Sequence, residues 1–558
     1  MFCALVVAPA WALDGGIPRV TGSSGWKAFE VITEADNPPG DGFGYAMPGT
    51  YDGAGAWLVG PGTVRVQVNH ETGDASISEV DLSLASLRAA IGHMIDHGNT
   101  GGVSFVLSAR QAYGRWSANG GTSFTVTSDA STTSFQRFCS GQAYAPDTFG
   151  PDRGFVDPIY VTGEEVSGGR LFALDSVARD LYQISGTAGG APGGIGGMPF
   201  DAWENAALLD TGETDHVALL LSPDGGSTQM KLYVGVKGRD ANGSVSNGFL
   251  ARNGLAYGSW YYLNGSLPAT PGSTSGGTFD TTASGALAST KLEDIDTSPS
   301  DPSRAVLGDQ DSGVFTFDFD LVFAGAFTAG SSSFTVTKIS NTSGDTGSLD
   351  NPDNVDWTAA TTLNGTSHPS GLIFVNEDND SGEIWRMNTD GSGPVRIGGT
   401  TIGAESTGIF DLSALVGYAP GSILITNNQG SPSSMTVLIN PNATLAGSPG
   451  AGQVTQLRVS TLLPSSLELV WQPSCSSDDD DYAVYSGEMG AFTSHFYAIC
   501  STAGATTKSL SMPPDSRYYL VVPIDGSEEG SYGHDGTGAE RPPGTATCGA
   551  QHIAPGCP

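Results

Sequence analysis

Positive charge is what this sequence has least of. Only 23 Lys and Arg stand against 58 Asp and Glu in 558 residues, a formal net charge of −35. A surface so acidic repels phosphate backbones, which excludes a general nucleic-acid binder. Long apolar runs are also missing, so no segment is read as spanning a membrane. Helical periodicity is nearly absent: one segment, near 80–97, sets Leu84, Leu87, Ile91 and Met94 on one side. Familiar catalytic signatures are lacking. There is no Gly-x-Ser-x-Gly, His-Glu-x-x-His, Cys-x-x-Cys or Walker loop, and the eight His do not cluster at metal-ligand spacing. Any metal site must then be built mostly of carboxylates, which suit hard ions.

What is present points to strands. Glycine contributes 79 residues, Ser and Thr are abundant, and hydrophobic residues reach 38% in alternating blocks. That mixture suits short strands joined by many turns, and it is too apolar for disorder. Val64, Val66 and Val68 share one face of 62–70, and Met230, Leu232, Val234 and Val236 repeat the pattern. Further strands are expected at 103–108, 158–162, 314–322, 333–339, 371–375 and 421–426. So long an all-β chain exceeds one compact core unless it forms a propeller or a large barrel. Asp309-Gln-Asp-Ser-Gly313 and Asp378-Asn-Asp-Ser-Gly382 each feed a strand, as expected at corresponding corners of two blades. Turn chemistry alone explains their composition. Calcium is the sharper alternative, although the Gly comes one residue early for an EF-hand loop.

The expected organisation is a signal peptide at 1–12, a propeller at 13–445, a linker at 446–452, a small sandwich at 453–540 and a cysteine-containing tail at 541–558. The opening stretch ends Ala10-Trp-Ala12, a cleavage pattern without a basic start, and reads as a truncated secretion signal. Export fits the cysteines. Cys3 falls in the signal, and Cys475, Cys500, Cys548 and Cys557 would form two disulfides, with three connectivities open. Cys139 is left alone, either an inert buried thiol or a functional one. The run Asp478 to Asp481 reads as a solvated loop.

Several acids stand at strand ends: Glu71, Glu164 with Glu165, Glu204, Asp353, and Glu377 with Asp378. Exposed acids are common, but close carboxylates in apolar surroundings resist ionisation, and a compensating cation is the usual reason to keep them.

Two resemblances sharpen this reading. Leu467-Glu-Leu-Val-Trp471 and Arg517-Tyr-Tyr-Leu-Val-Val522 resemble strands of a fibronectin type III sandwich, read here as a spacer or adhesive unit that contacts a surface or polymer. In the large domain, Met47-Pro-Gly-Thr-Tyr-Asp-Gly-Ala-Gly-Ala56, Val68-Asn-His-Glu71, Arg137-Phe-Cys-Ser140, Ile159-Tyr-Val-Thr-Gly-Glu-Glu165, Trp203-Glu-Asn205, Asn351-Pro-Asp-Asn354, Ile373-Phe-Val-Asn-Glu-Asp378 and Glu405-Ser-Thr-Gly-Ile-Phe-Asp411 follow one another in order. This set resembles the PhoX-type alkaline phosphatases over roughly residues 40–430. Relatives often carry Asp-Asp where Ser222-Pro-Asp224 stands here, and Gln-Ala-His where Asn427-Asn-Gln429 stands.

The resemblance implies an all-β chain with a six-bladed propeller whose funnel holds an iron pair and several calcium ions. Cys139 would be the thiolate ligand, with Glu71, Glu165, Glu204 and Glu377 as carboxylate ligands. Glu164 and Asp353 would serve calcium or support the ligands. The implied partner is a small phosphate ester, hydrolysed outside the cytoplasm by a monomer. Arg170 and Lys237 would neutralise remaining phosphate charge, or else are surface cations of an acidic protein. Two other functions compete: a calcium-stabilised propeller used for binding or adhesion, and a glycan hydrolase resting on no more than the abundance of Glu.

Overall fold

The computed structural model describes residues 19–553 apart from 39–41, 61, 128–133, 187–188, 226–227, 344–347, 364, 401–402, 444–450, 455–456, 463–465, 477–478, 480, 527, 535–539 and 545. The expected signal peptide with Cys3, most of the linker, Asp478, Asp480 and Cys557 lie outside the described residues. The chain divides into two compact units, one running to Ala443 and one comprising Thr444 onward together with Leu58–Thr63.

The first unit is a six-bladed β-propeller. Its blades open, in chain order, on the inner strands Tyr51–Leu58, Phe138–Tyr144, Trp203–Leu209, Leu292–Thr297, Pro352–Trp357 and Ser406–Asp411. Each is followed outward by antiparallel partners, so that Thr63–His70, Ile159–Glu164, His216–Pro223, Arg304–Asp309, Leu372–Glu377 and Ile423–Asn428 are the second strands. The N-terminal strand Lys27–Thr33 pairs with Ser434–Ile439 and completes the sixth blade, so the first and last parts of the unit close the ring together. Thr274–Asp280 bridges the third and fourth blades into one continuous sheet.

Strands buried on both faces follow from this arrangement. Along His216–Pro223, Val217, Leu219 and Leu221 pack toward the second blade, and Ala218 and Leu220 toward the fourth. Period two therefore separates two apolar faces rather than an apolar face from a wet one. The core is accordingly a series of layers between neighbouring blades. Phe138, Tyr160 and Phe172 meet Ala75 and Ile77 in one, and Val306 and Val314 meet Val355, Trp357 and Val375 in another.

The two Asp-rich turns do occupy corresponding corners, joining second to third strands in the fourth and fifth blades. Their side chains satisfy their own turns: Asp309 accepts from the Ser312 N–H, and Asn379 from those of Ser381 and Gly382. The helix spans Leu84–His97, capped by Ser83 and ended by Gly98 at φ 74°. Residues 80–83 belong instead to the strand Ser76–Ser83 that runs into it.

The second unit is a sandwich. A sheet of Arg458–Leu462, Ser466–Val470 and Thr507–Ser511 faces one of Phe496–Ile499, Asp481–Glu488, Arg517–Asp525, Glu528–Glu529 and Ala550–Gln551. Leu467, Leu469 and Trp471 from one side meet Tyr482, Val484 and Val521 from the other. Cys500 is bonded to Cys548, and Cys475 is also in a disulfide. The tail is part of this sandwich, since Ala550–Gln551 adds a strand to it.

Candidate metal centre

The candidate site is built from one position repeated six times. Asp52, Cys139, Glu204, Glu293 and Asp353 are each the second residue of an inner strand, and Glu405 immediately precedes the sixth. Register shifts lie at this point in blades three to six, between Trp203 and Asn205, Leu292 and Ile295, Pro352 and Val355, and Thr407 and Phe410. A bulge re-aims a side chain without ending the strand, which lets these groups leave the blade and meet at the axis.

A second ring follows from antiparallel pairing. The residue just after each second strand lies beside the start of the inner strand. Those residues are Glu71, Glu165, Asp224, Gln310, Asp378 and Gln429. Gln429 donates to Glu71 at 2.7 Å and to Asp52 at 3.3 Å, and Gln310 donates to Asp378 at 2.8 Å. Glu165 is linked by hydrogen bonds to Asp224 and Cys139, the latter with Sγ donating at 2.9 Å. Asp378 shares a hydrogen bond with Glu405.

Glycine allows the inner strands to approach so closely. A Cβ at Gly53 would meet the backbone of Ser140 and Gly141 at 2.3–2.5 Å, and one at Gly408, where φ is 58°, would meet the Asp52 carbonyl at 2.2 Å. Amides tie the strands across the axis. Asn69 donates to the Cys139 carbonyl at 2.6 Å and to Thr162 at 2.8 Å, fixing the backbone that carries the thiol. Asn354 donates to Ser140 Oγ at 2.9 Å, and that hydroxyl donates to Glu204 at 2.6 Å.

Three sets of ligand atoms lie within 4.8 Å of one another: Asp52, Glu71 and Cys139; Cys139, Glu165 and Glu204; and Glu204, Glu293 and Asp353. Cys139 and Glu204 each belong to two sets, so the three form one continuous band. Burial foremost, then neighbouring acids, pushes the carboxyls of Asp52, Glu204 and Asp353 well up, and the Cys139 thiol likewise. Glu293 is also held well up by burial, although Lys291 opposes the shift. Glu165 rises to about 7 and Glu405 to about 9, burial again being the main cause. Among the described residues, the cations paired with this rim are Arg137, which bridges Glu71 and Glu165 at 2.7 and 2.5 Å, and Lys291, which bridges Asp224 and Glu293 at 2.9 and 2.8 Å. Two cations do not balance this many acids. The donor chemistry fits metal ions: thiolate with carboxylates for a transition metal, and the all-carboxylate set for a hard ion such as Ca²⁺.

Of the residues expected from sequence, Glu71, Cys139, Glu165, Glu204 and Asp353 come together here. Glu164 and Glu377 do not, because neighbours on a strand point opposite ways. Glu164 is held by both Nε and Nη2 of Arg170 at 2.6 Å. Glu377 accepts from the Asp350 N–H, Asn379 and Trp385 at 2.7–2.8 Å. Arg170 is committed to Glu164 and lies over the Phe135 and Phe172 rings. Lys237 donates to the Asp152 carbonyl at 2.7 Å. Asp378, noted from sequence beside Glu377, joins the second ring, whereas Asp52, Asp224, Glu293, Glu405, Arg137 and Lys291 were not singled out as site residues. The signal that finds Asp52, Glu293 and Glu405 is an acid or Cys followed by a small, amide or acidic residue at the start of each inner strand.

No protein-family model and no curated protein sequence matches the chain. Among solved structures, Pseudomonas fluorescens PhoX in complex with vanadate, a transition state analogue, is 12% identical, covering 76% of this chain and 96% of that one at a TM-score of 0.49. Chaetomium thermophilum Sqt1 bound to the N-terminus of the ribosomal protein L10 is 11% identical over 75% and 99%, at 0.32. A Trypanosoma rangeli sialidase is 8% identical over 75% and 86%, at 0.26. The propeller assignment stands on the strand pairing itself.

Proposed function

We propose that this chain is a secreted, metal-dependent phosphoesterase acting on small phosphate monoesters. One observation carries the metal requirement: five inner strands bear an acid or a thiol at their second position, these groups converge, and two cations are too few to balance them. The ordered motif set of the sequence, which resembles PhoX-type alkaline phosphatases, directs that requirement toward phosphate chemistry. Cys139 with Glu165 and Glu204, and with Asp52 and Glu71, would hold iron. Glu204, Glu293 and Asp353 would hold calcium. Metal ions in such a site clamp ester oxygens, activate an oxygen nucleophile and stabilise the leaving group.

The chain's own residues supply the rest. Asn69 and Ser140 keep Cys139 and Glu204 fixed, so the donors need no rearrangement when metal binds. Arg137, half-exposed beside Glu71 and Glu165, is the cation best set to meet phosphate oxygens at the rim. We read the C-terminal sandwich as a fibronectin type III-like module that contacts a surface or polymer. The full-length protein should be purified without chelator, analysed for metals and assayed with an aryl phosphate. Iron with calcium, turnover abolished by chelation, and loss of iron in Cys139→Ala are expected. Calcium without a transition metal, and no turnover, would support instead a propeller used for binding.

A further inference from the structure

The expectation that no His stand at metal-ligand spacing fails at one place. On the helix Leu84–His97, His93 and His97 are four residues apart, one turn from each other on a single face. Leu84, Leu87, Ala90, Ile91 and Met94 turn inward, while His93 is partly exposed and His97 exposed. The two imidazole rings lie with centroids 4.5 Å apart and planes inclined at 53°. We propose that this pair is a surface binding site for one borderline divalent ion, of the Cu²⁺ or Zn²⁺ kind, independent of the candidate centre on the propeller axis.

The loop after the helix decides which nitrogen can bind. His93 Nδ1 lies 2.8 Å from the Asn99 carbonyl oxygen, which can only accept, so Nδ1 carries the proton and the Nε2 lone pair is left free. A ligating imidazole is normally held in this way, by an N–H given to a backbone carbonyl. The loop that provides the carbonyl is itself fixed. The Gly98 N–H donates to the Met94 carbonyl at 3.0 Å and the Gly101 N–H to Asn99 Oδ1 at 2.9 Å. Gly101, at φ 67°, lies against the ring, and a Cβ there would meet Cγ, Cδ2 and Nε2 of His93 at 2.8–3.0 Å. Any larger residue would push the ring away. The His97 ring makes no hydrogen bond among the described residues, and helical side chains lean toward the N-terminus, which carries it back over His93. A ring free to turn can bring a nitrogen to the roughly 3 Å from Nε2 that two imidazoles on one ion require.

Capping charge is the ordinary reason for His at a helix C-terminus. Here Lys27 already fills that role, its Nζ donating to the Met94 and Ile95 carbonyls at 2.9 and 2.6 Å. A hard ion such as Ca²⁺ does not suit these donors, since it takes six to eight oxygens, whereas imidazole suits Zn²⁺, Cu²⁺ and Ni²⁺. An anion is disfavoured by a chain of net charge −35, with Asp96 standing between the two His in sequence. Two protein ligands leave the other coordination positions to water, so the site is open and its ion exchangeable.

The probe is Cu²⁺, one equivalent added to the full-length protein purified without chelator and read by electron paramagnetic resonance. The three ligand sets on the axis contain no His, and the neighbouring His70 has both ring nitrogens engaged by Gly49 and Ser78. Coupling to imidazole nitrogen therefore reports the helix pair and not that centre. Superhyperfine structure from two nitrogens is expected. His93→Gln and His97→Gln should each remove it and weaken Cu²⁺ binding at least about tenfold, measured by competition with a chelator. Circular dichroism checks the fold of both variants. His552→Gln, at an exposed position of the second unit, should alter neither reading. A spectrum from oxygen or sulfur donors alone or from a single nitrogen, a two-nitrogen spectrum that persists in both variants, or unaltered affinity in both would overturn the assignment.

Discussion

The inner strands of the fourth, fifth and sixth blades have acids at both ends, yet the two ends have opposite chemistry. At the first end, Asp52, Glu204, Glu293 and Asp353 face one another and a thiol, and their oxygens converge. At the far end, Asp294, Asp296 and Asp411 are each bound by backbone N–H groups, those of Asp294 and Asp296 including an N–H of the next blade. One set asks for cations from outside; the other joins the ring of blades. A residue type thus says little until its hydrogen-bond partners are counted. The comparison can be broken by substituting one acid from each end.

The largest effect is expected from Glu204→Gln. Glu204 belongs to two of the three ligand sets, so its loss should disturb both. We expect the protein to lose most of its bound metal and at least about 100-fold in aryl phosphate turnover, measured by elemental analysis and a chromogenic assay. Unchanged metal content would mean that the convergent acids are structural, like those at the far end.

Asp296→Ala probes that far end. It leaves the buried Trp357 N–H and Gln142 without their acceptor. The free energy of unfolding should fall by about 2–3 kcal/mol, read by denaturant titration, with metal content per folded molecule unchanged. Loss of metal together with stability would show that the two ends are not separable.

Acidity sharpens the contrast in a different way. Carboxyls whose folded pKa is raised favour the folded state at low pH, where folded and unfolded chains are both protonated. As pH climbs past the ordinary carboxylate range, the unfolded chain releases protons that the folded one retains, and stability falls. For the metal-free protein the loss should run from about pH 4.5 through 7, where Glu165 titrates, toward 9 for Glu405. Glu165 alone accounts for on the order of 3 kcal/mol. Thermal melts of the chelated protein at pH 5, 7 and 9 should show a falling Tm. Metal reloading should remove the share due to Glu165 and Glu405, while Asp294, Asp296 and Glu377, also raised to about 7 mainly by burial, keep theirs. A flat profile without metal would mean these acids are not held together in the apo state.

Much of this was legible in the sequence. Alternating Val64, Val66 and Val68, and the twin turns at Asp309 and Asp378, pointed to blades. The unpaired Cys139 and the motifs around Glu71, Glu165, Glu204 and Asp353 pointed to a cluster. What alternation hid was which member of a pair faces the axis: Glu165 rather than Glu164, and Asp378 rather than Glu377. That choice depends on where each strand ends, to the residue, and bulges make the ends unreadable from pattern alone. The inner-strand repeat escaped notice because Asp52, Cys139, Glu204, Glu293, Asp353 and Glu405 recur at unequal intervals with different side chains. Arg137 and Lys291 were hidden for the same reason, each standing two residues ahead of a ligand position.

Arg137 and Lys237 supply the smallest and most discriminating comparison. Lys237 was the more obvious candidate, a lysine at the end of an apolar strand, but its amine is taken up by the Asp152 carbonyl. Arg137 holds Glu71 and Glu165 while remaining half-exposed at the rim. Arg137→Gln should raise KM for an aryl phosphate about tenfold, since a charged hydrogen bond to the ester is lost. Lys237→Gln should leave KM within about twofold, as expected of a surface substitution. Equal effects from both would mean that the phosphate feels the protein's overall field and not a particular guanidinium. No effect from either would move the ester away from this rim altogether.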